Sequence, residues 1–374
     1  MTTTQIEFKS HVNPKHAENA ITQLGSEESP SEFVQIDLSA CTFIDPSAGW
    51  RLANGLRRYA EKELLTVILP DQDRFSSEQW FKSFTRTGLG YAIAFHCNRI
   101  VTPSGRDITE EIKNYYSRVD GIPAPTHVLV SGIRSKRPFN VDNFSQFSTK
   151  FQSMLSKLRA ESPPEGSLQA LTTFVFEAVQ NVYDHSSSAP LPRSTKVFDY
   201  LCVNYHANIR NPPDVENRFA TYLKRLTGVL PENRRAGFME VIINDDGVGI
   251  AGRQSQRTDI YHETDRQEER AALSEALAQG GSIKLITKDC PVRYDPGHGT
   301  QKIMAALREL SAFAFVRTGR LLAYFDGSDA SQEAFAVTAE ELGYMPGTAL
   351  EVIIPIVESQ LRLAFGAASC PSST

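Results

Sequence analysis

Apolar residues in the first third of the chain form two short runs with a longer helical pattern between them. Residues 33–39 and 64–69 are rich in Val, Ile and Leu, which is typical of strands, and residues 49–62 have the composition of a helix. A turn over residues 42–49 joins the first strand to the helix. The order strand, turn, helix, strand predicts a small α/β domain, which we bound at residues 1–125.

The remaining chain begins with a long helical pattern and ends in apolar strands. Residues 168–185 are mostly helix-forming and follow a stretch with two prolines and a glycine, so Ser167 is the predicted N-cap. The predicted strands are residues 238–244, the hairpin 313–325 and the last strand 346–355. These elements predict a second domain at residues 126–357 and leave residues 358–374 as a tail.

Two segments of the second domain are longer than simple connections. Residues 207–237 contain a helical stretch at 215–227 that is rich in Arg and Lys. Residues 251–296 contain a charged run at 263–270 followed by a helix-like stretch. Long insertions in a compact domain are usually functional or flexible, so we interpret the first as an insertion and the second as a lid.

The composition is that of an ordinary globular protein and excludes several function classes. Of 374 residues, 41% are hydrophobic and 22% charged, and the net charge of −5 argues against nucleic acid as a general partner. The five cysteines lack the spacing of a metal site and are expected to be reduced thiols. No apolar run has the length of a membrane span and the first residues do not resemble a signal peptide, so we expect a cytoplasmic protein without a membrane partner.

Two polar residues of the long predicted helix have the chemistry of a magnesium–nucleotide site. Glu177 and Asn181 are four residues apart, so they lie on one helix face. The carboxamide oxygen of Asn181 is a hard ligand that suits magnesium, and Glu177 can orient or deprotonate a water molecule. The alternative is an amphipathic helix with ordinary polar residues, which the spacing alone does not exclude.

A second carboxylate stands where a predicted strand meets a glycine turn. The strand at residues 238–244 runs directly into Asp245-Asp-Gly247-Val-Gly249-Ile. Gly247 and Gly249 allow the backbone to pass close to a ligand, because no Cβ stands in the way. A plain turn at the end of a strand is the alternative, since Asp-Gly is common in turns.

A third motif precedes a predicted helix. Gly297-His-Gly299-Thr300-Gln-Lys302 leads into the helical pattern of residues 303–310. Glycines at the start of a helix offer free N–H groups and the positive end of the helix dipole to a phosphate, and Lys302 adds charge. By itself this indication is weak, because the motif is not a Walker A sequence.

The three motifs in this order resemble the GHKL ATP-binding superfamily, which includes type II topoisomerases, histidine kinases and anti-sigma-factor kinases. The resemblance extends over residues 139–357 and implies that ATP and Mg2+ are bound. It implies a Bergerat-type α/β sandwich, with a mixed, largely antiparallel sheet and helices on one face. The implied roles are catalysis by Glu177, magnesium ligation by Asn181, adenine recognition by Asp245, and nucleotide contacts by Gly247, Gly249, Gly297, Gly299, Thr300, Lys302 and Thr348.

The N-terminal domain resembles a STAS domain, the fold of anti-sigma-factor antagonists. The turn Asp45-Pro46-Ser47-Ala48-Gly49 places Ser47 where that family has a phosphorylatable serine, although Pro46 and Ala48 replace the usual flanking residues. A phospho-acceptor at this position has to be exposed at the start of its helix. The alternative is a small packing domain without a phosphorylation switch.

Two classes of function remain open. The first is an enzyme that hydrolyses ATP to drive a conformational switch, or a serine/threonine protein kinase of the anti-sigma-factor type that acts on a STAS-like domain. The second is a nucleotide-gated interaction module without turnover. In either class we expect a protein partner, bound through the STAS-like domain or the insertion at residues 207–237, and a homodimer is left open.

Overall fold

The computed structural model contains one parallel and one antiparallel β-sheet, each packed against helices, so the fold class is α/β. It describes residues 3–24, 32–70, 97, 99–119, 127–131, 133–158, 165–186, 199–206, 217–229, 237–255, 257, 259–261, 265–278, 299–340 and 342–356. Gly297 and the tail at 358–374 lie outside the described residues. The predicted domain boundary at residue 125 also falls outside them and stays a prediction.

The N-terminal unit is a four-stranded parallel sheet with the strand order β1-β2-β3-β4 and three described helices. Its elements are β1 (Thr3–Val12), α1 (Pro14–Gln23), β2 (Phe33–Ile44), α2 (Pro46–Glu61), β3 (Leu65–Ile68), β4 (Arg99–Val101) and α3 (Thr109–Val119). The predicted strand, helix and strand are confirmed as β2, α2 and β3, but the turn predicted over residues 42–49 is wrong, because β2 extends to Ile44 and α2 begins at Pro46. The structure adds β1 and α1, which the weak hydrophobic pattern of the first residues does not indicate.

Helix α1 begins at a capping sequence. The Asn13 side chain accepts a hydrogen bond from the His16 backbone N–H (2.9 Å), and the His16 ring accepts one from the Asn13 backbone N–H (3.4 Å). Pro14 follows in the first turn, where a missing N–H removes no intrahelical bond. The pair Asn13-Pro14 is therefore the local sequence signal for this helix.

The C-terminal unit is a seven-stranded sheet in which every described pair of neighbouring strands is antiparallel. Its strands are β5 (His127–Ser131), β6 (Tyr200–His206), β7 (Gly237–Asp245), β8 (Phe313–Gly319), β9 (Leu321–Asp326), β10 (Ala336–Val337) and β11 (Met345–Ile356). The order β10-β9-β8-β11-β7-β6-β5 puts the last strand at the centre. The predicted hairpin and last strand are confirmed as β8–β9 and β11, but the expected mixed sheet is antiparallel among the described strands.

The helices of the C-terminal unit include the long predicted one. They are α4 (Ile133–Lys136), α5 (Phe144–Leu155), α6 (Glu165–Ser186), α7 (Asn217–Val229), α8 (Ile250–Ser255), α9 (Arg266–Leu277) and α10 (Gly299–Glu309). Ser167 is buried inside α6, so its prediction as N-cap is wrong. None of the described helices is long and apolar enough to cross a membrane.

Strand β7 is buried on both faces, and its side chains alternate between two environments. Val241 and Ile243 belong to the core that includes α6 and α10, whereas Ile242 packs with Trp50 of α2. Because side chains alternate along a strand, Asp245 points to the same side as Ile243. The long apolar run in the sequence is explained by helices on both sides of the sheet.

Helix α2 of the N-terminal unit covers the face of the antiparallel sheet opposite α6. Residues 47–60 of this helix are buried throughout, because the helix contacts strands of both sheets. Trp50 and Ala53 share a hydrophobic cluster with residues of β5, β6, β7 and β11. The buried polar residues of α2 are Ser47, Arg51, Asn54, Arg57 and Arg58.

The described helix of the insertion, α7, packs on the same face of the sheet as α2. Phe219 and Tyr222 are fully buried against Phe313 and Phe315 of β8. Arg225 forms an ion pair with Asp326 of β9. The helix predicted at residues 215–227 is confirmed, and its apolar side is part of the core. A partner bound through the insertion stays a prediction.

Ser47 lies in the first turn of α2 but is not exposed as a phospho-acceptor has to be. Its residue exposure is 1%, and its hydroxyl donates a hydrogen bond to the Glu351 carboxylate of β11 (2.8 Å). Trp50 Nε1 donates to the same carboxylate oxygen (3.2 Å). The exposure that a phospho-acceptor requires is therefore not met at Ser47 in this arrangement of the two units, because α2 packs against the sheet.

The carboxyl group of Glu351 is buried where the two units meet. The pKa of Glu351 is raised to about 8, mainly by burial and also by nearby Glu240 and Asp45, whereas Arg51 and the hydrogen bond from Ser47 oppose the shift. The folded protein therefore keeps a proton on this group at pH values where the unfolded chain has lost it. The contribution of Glu351 to stability is present below its usual pKa of 4.5 and is lost as the pH rises to about 8.

We expect Glu351→Gln to remove this pH dependence. Glutamine is neutral at every pH, so the variant should lose less stability than the parent between pH 5 and 8, by at most about 1.4 kcal/mol per pH unit. Chemical denaturation across this range measures the difference, with Glu7→Gln on the exposed side of β1 as the control. Parallel pH profiles of parent and Glu351→Gln would contradict the buried, protonated state.

Candidate functional site

Glu177 and Asn181 lie one turn apart on α6, at the side of the helix that meets the start of α10. Glu177 is buried with 7% exposure, and Asn181 is half-buried. Gly299, the first residue of α10, lies beside both side chains. A Cβ at this glycine would be 3.6 Å from Glu177 Oε2 and 3.7 Å from Asn181 Oδ1. The missing side chain therefore leaves a small space in front of the two oxygens.

Lys302 belongs to the same cluster, but its ammonium group is directed at a carboxylate. Lys302 Nζ is 2.8 Å from Glu177 Oε1 and donates a hydrogen bond to it. The lysine side chain is 50% exposed, so the ion pair is screened by water and contributes little stability. The sequence motif alone did not indicate this contact, because the two residues are 125 positions apart.

The turn after β7 is held by its own aspartate and by glycine geometry. Asp245 Oδ1 accepts a hydrogen bond from the Gly247 N–H (2.7 Å). Gly249 has φ +79°, which L side chains rarely adopt, and a Cβ there would be 2.5 Å from the Tyr261 hydroxyl and 2.7 Å from Thr318 Oγ1. Only glycine fits at this position. The chain therefore turns sharply after Asp245 and enters α8 at Ile250.

The start of β11 holds the same turn from the other side. Thr348 is paired with Asp245 in the sheet register. Gly347 has φ +78°, and a Cβ there would be 2.2 Å from the Asp245 carbonyl oxygen. Thr318 of β8 accepts a hydrogen bond from the Ile250 N–H (3.0 Å) and donates one to the Gly347 carbonyl (3.2 Å). Three strands therefore fix the position of the Asp245 turn.

A cavity of about 160 Å³ lies between this turn and the face of α6 that carries Ala178, Asn181 and Val182. One water molecule needs roughly 10–15 Å³, so the space is large enough for part of a small organic ligand. Predicted site residues that line it are Asn181, Asp245, Gly247, Gly249, Thr300 and Thr348. Glu177, Gly299 and Lys302 lie next to Asn181 at its edge. The structure therefore brings together every predicted site residue except Gly297, which lies outside the described residues.

Sequence reasoning missed several residues of the cavity wall. Arg253 and Gln254 line it from α8, one turn beyond the glycine motif, and Phe335 lines it from the segment before β10. Burial lowers the pKa of Arg253, and the nearby Asp184 opposes the shift. Arg253 could have been predicted as a cavity residue, because it lies on the first helical turn after Gly249. The sequence around Phe335 contains no such indication.

The donor set fits magnesium only together with a ligand that supplies further oxygens. Among the described residues, no group of three His, Cys, Asp or Glu side chains is arranged to hold a metal ion. Asn181 offers one hard oxygen atom beside the space at Gly299. Magnesium usually keeps several waters and binds through one or two protein ligands plus phosphates, and this environment suits such binding.

Comparisons of the chain with protein-family models, curated proteins and solved structures find no match. The functional argument therefore depends on the geometry of the cavity.

Two glycine substitutions should distinguish a glycine that the fold requires from one that leaves space for a ligand. We expect Gly249→Ala to lower the unfolding temperature, since the strained backbone costs roughly 1–3 kcal/mol and the new Cβ collides with Tyr261 and Thr318. Gly299→Ala makes only ordinary contacts and should unfold at the parental temperature or slightly above it. Thermal unfolding followed by circular dichroism measures both. Equal losses of stability would show that the space at Gly299 is not open.

Proposed function

We propose that the chain is a Mg-ATP-binding ATPase of the GHKL type that works as an ATP-driven conformational switch. The observation that carries this proposal is the cavity between the Asp245 turn and the Asn181 face of α6, with Gly299 at its edge. One end of the cavity offers a carboxylate and apolar walls, and the other offers a helix start and a magnesium ligand. Such an asymmetric site suits a nucleotide, which has a flat base and charged phosphates.

The base would lie at the Asp245 end. The turn and its neighbours supply an apolar wall for a flat ring, which consists of Val182, Ile243, Val248, Ile303, Val316 and Leu350. A pocket with apolar walls and few polar groups is typical of small-molecule sites. The Asp245 carboxylate is half-buried at the end of β7, and the adenine amino group would donate a hydrogen bond to it.

The phosphates would lie at the α10 end. At the N-terminus of α10 the N–H groups of Gly299 and Thr300 have no partner within the helix, and the helix dipole favours anions there. Asn181 Oδ1 would hold the magnesium ion, which neutralises phosphate charge when it is bound. Lys302 has an exposed side chain that can turn from Glu177 to a phosphate oxygen, since its ion pair is weak.

Glu177 would position the attacking water. Its carboxylate is buried next to the space at Gly299, so it can accept a proton from a water molecule placed there. The antiparallel sheet with α5, α6 and α10 on one face is compatible with a Bergerat-type sandwich, which supports this assignment. The parallel N-terminal sheet with α2 is likewise compatible with a STAS-like domain.

A nucleotide-gated module without turnover is the second candidate. The Glu177–Lys302 hydrogen bond favours it, because Oε1 of the carboxylate accepts from the ammonium group and not from a water molecule. A protein kinase acting on the chain's own Ser47 is disfavoured, because Ser47 is buried against Glu351. Kinase activity toward a separate STAS-like protein remains an alternative.

Asp245→Asn should weaken ATP binding. The loss of a hydrogen bond to a charged acceptor costs about 1.5–3 kcal/mol, which is roughly a ten- to hundredfold loss of affinity. Titration calorimetry with Mg-ATP measures it, and Asp142→Asn on an exposed turn is the control. The adenine end is assigned wrongly if Asp245→Asn binds ATP as tightly as the parent.

Glu177→Gln should separate binding from turnover. Glutamine keeps the shape of the side chain but cannot take a proton, so phosphate release should fall by about a hundred- to ten-thousandfold while ATP affinity stays within a few-fold. A steady-state phosphate assay measures the rate, with Glu309→Gln at the exposed end of α10 as the control.

The same assay distinguishes the candidates. Phosphate release by the parent supports an ATPase, and phosphate transferred to protein supports a kinase. Tight binding without either supports the gated module, and no binding of ATP at all would overturn the proposed site.

A further inference from the structure

Helix α2 of the N-terminal unit contacts the turn that carries Asp245. The Asn54 side chain donates a hydrogen bond to Asn244 Oδ1, next to Asp245 in β7. Three residues further along α2, Arg57 Nη1 donates to the backbone carbonyl of Asp246 (3.1 Å). Arg57 Nη2 is 3.4 Å from the Asp246 carboxylate. The residues on both sides of Asp245 are therefore held by one helix of the other unit.

The alternation of side chains explains this arrangement. Asp245 points toward the cavity, so its neighbours Asn244 and Asp246 point to the opposite face, which α2 covers. Asn244 is 0% exposed. A movement of α2 therefore acts directly on the backbone that orients Asp245, although no residue of α2 lines the cavity.

The ion pair between Arg57 and Asp246 is buried, and the guanidinium group has a fixed orientation. The Arg57 side chain is 9% exposed and the Asp246 side chain 5%. Glu61, one turn further on α2, accepts a hydrogen bond from Arg57 Nε (2.7 Å) and fixes the guanidinium plane. Removal of one partner from a buried ion pair leaves an uncompensated charge, so the turn would rearrange when Arg57 is lost.

We propose that Arg57 is a positioning residue of the nucleotide site, and that α2 couples the position of the N-terminal unit to adenine recognition. This inference rests on the proposed ATP site. Arg57 holds the Asp245–Asp246 backbone in the orientation that presents the Asp245 carboxylate to the adenine amino group. Coupling of this kind is reciprocal, so bound ATP also strengthens the attachment of the N-terminal unit.

The test compares ATP with inosine triphosphate, which has a carbonyl group where adenine has its amino group. A general loss of structure weakens both ligands equally, whereas a displaced Asp245 weakens ATP alone. We expect Arg57→Ala to reduce ATP affinity about tenfold and to leave inosine triphosphate within about twofold, so the preference for ATP falls. Arg57→Lys should recover part of that preference, because it restores the charge.

Two further variants keep the test decisive. Arg58→Ala changes the next residue of α2, which donates to the Leu24 carbonyl inside the N-terminal unit, and it should keep the parental preference. Asp246→Asn removes the charge from the other side of the contact without loss of volume, and it should lower the preference even if Arg57→Ala does not fold.

The outcomes distinguish the two proposals. A parental preference for ATP in both Arg57→Ala and Asp246→Asn would overturn the role of Arg57 and leave the ATP site intact. A folded parent that binds neither nucleotide would overturn the ATP site and, with it, this inference.

Discussion

The burial of both faces of the central strands β7 and β11 is the constraint on which the rest of the structure depends. One face of each strand packs against α6 and α10, and the other packs against α2 and α7. Neither strand can shift along its axis without an effect on both layers, since its side chains alternate between them and protein interiors are close-packed. The cavity opens at the edge of the sheet where β7 ends and β11 begins, between the Asp245 turn and the helices α6 and α10.

The layer between the two sheets is unusually polar, and this determines how the units fit together. Glu18 of α1 accepts hydrogen bonds from Arg51 of α2 (3.0 Å) and from Arg317 of β8 (3.1 Å). Burial alone would raise the pKa of Glu18, but the two guanidinium groups together lower it below its usual value. Buried ion pairs add little net stability compared with apolar packing, but a broken one is costly. The polar layer therefore favours one relative orientation of the units over others.

The motifs that sequence reasoning found are those that local structure determines. Glu177 and Asn181 share a helix face at any tertiary arrangement, and the glycines after Asp245 act on their own turn. The contact of Lys302 with Glu177 and the burial of Ser47 depend on pairs 125 and 304 positions apart, which no local pattern encodes. Helix α2 itself was predicted, but its polar residues gave no indication that a second sheet covers them.

The chain has two consecutive aspartates, and only the register of β7 decides which of them faces the cavity. A shift by one residue would turn Asp246 toward the cavity and Asp245 toward α2, because side chains alternate along a strand. It would also move Ile242 into the core beneath α6 and Val241 against Trp50, with smaller consequences, since both residues are apolar. The polar contacts of Asn244 and Asp246 with α2 therefore discriminate more strongly between the two registers than the apolar core does. The contacts with helix α2 thus determine that Asp245, and not Asp246, is the aspartate whose side chain faces the cavity.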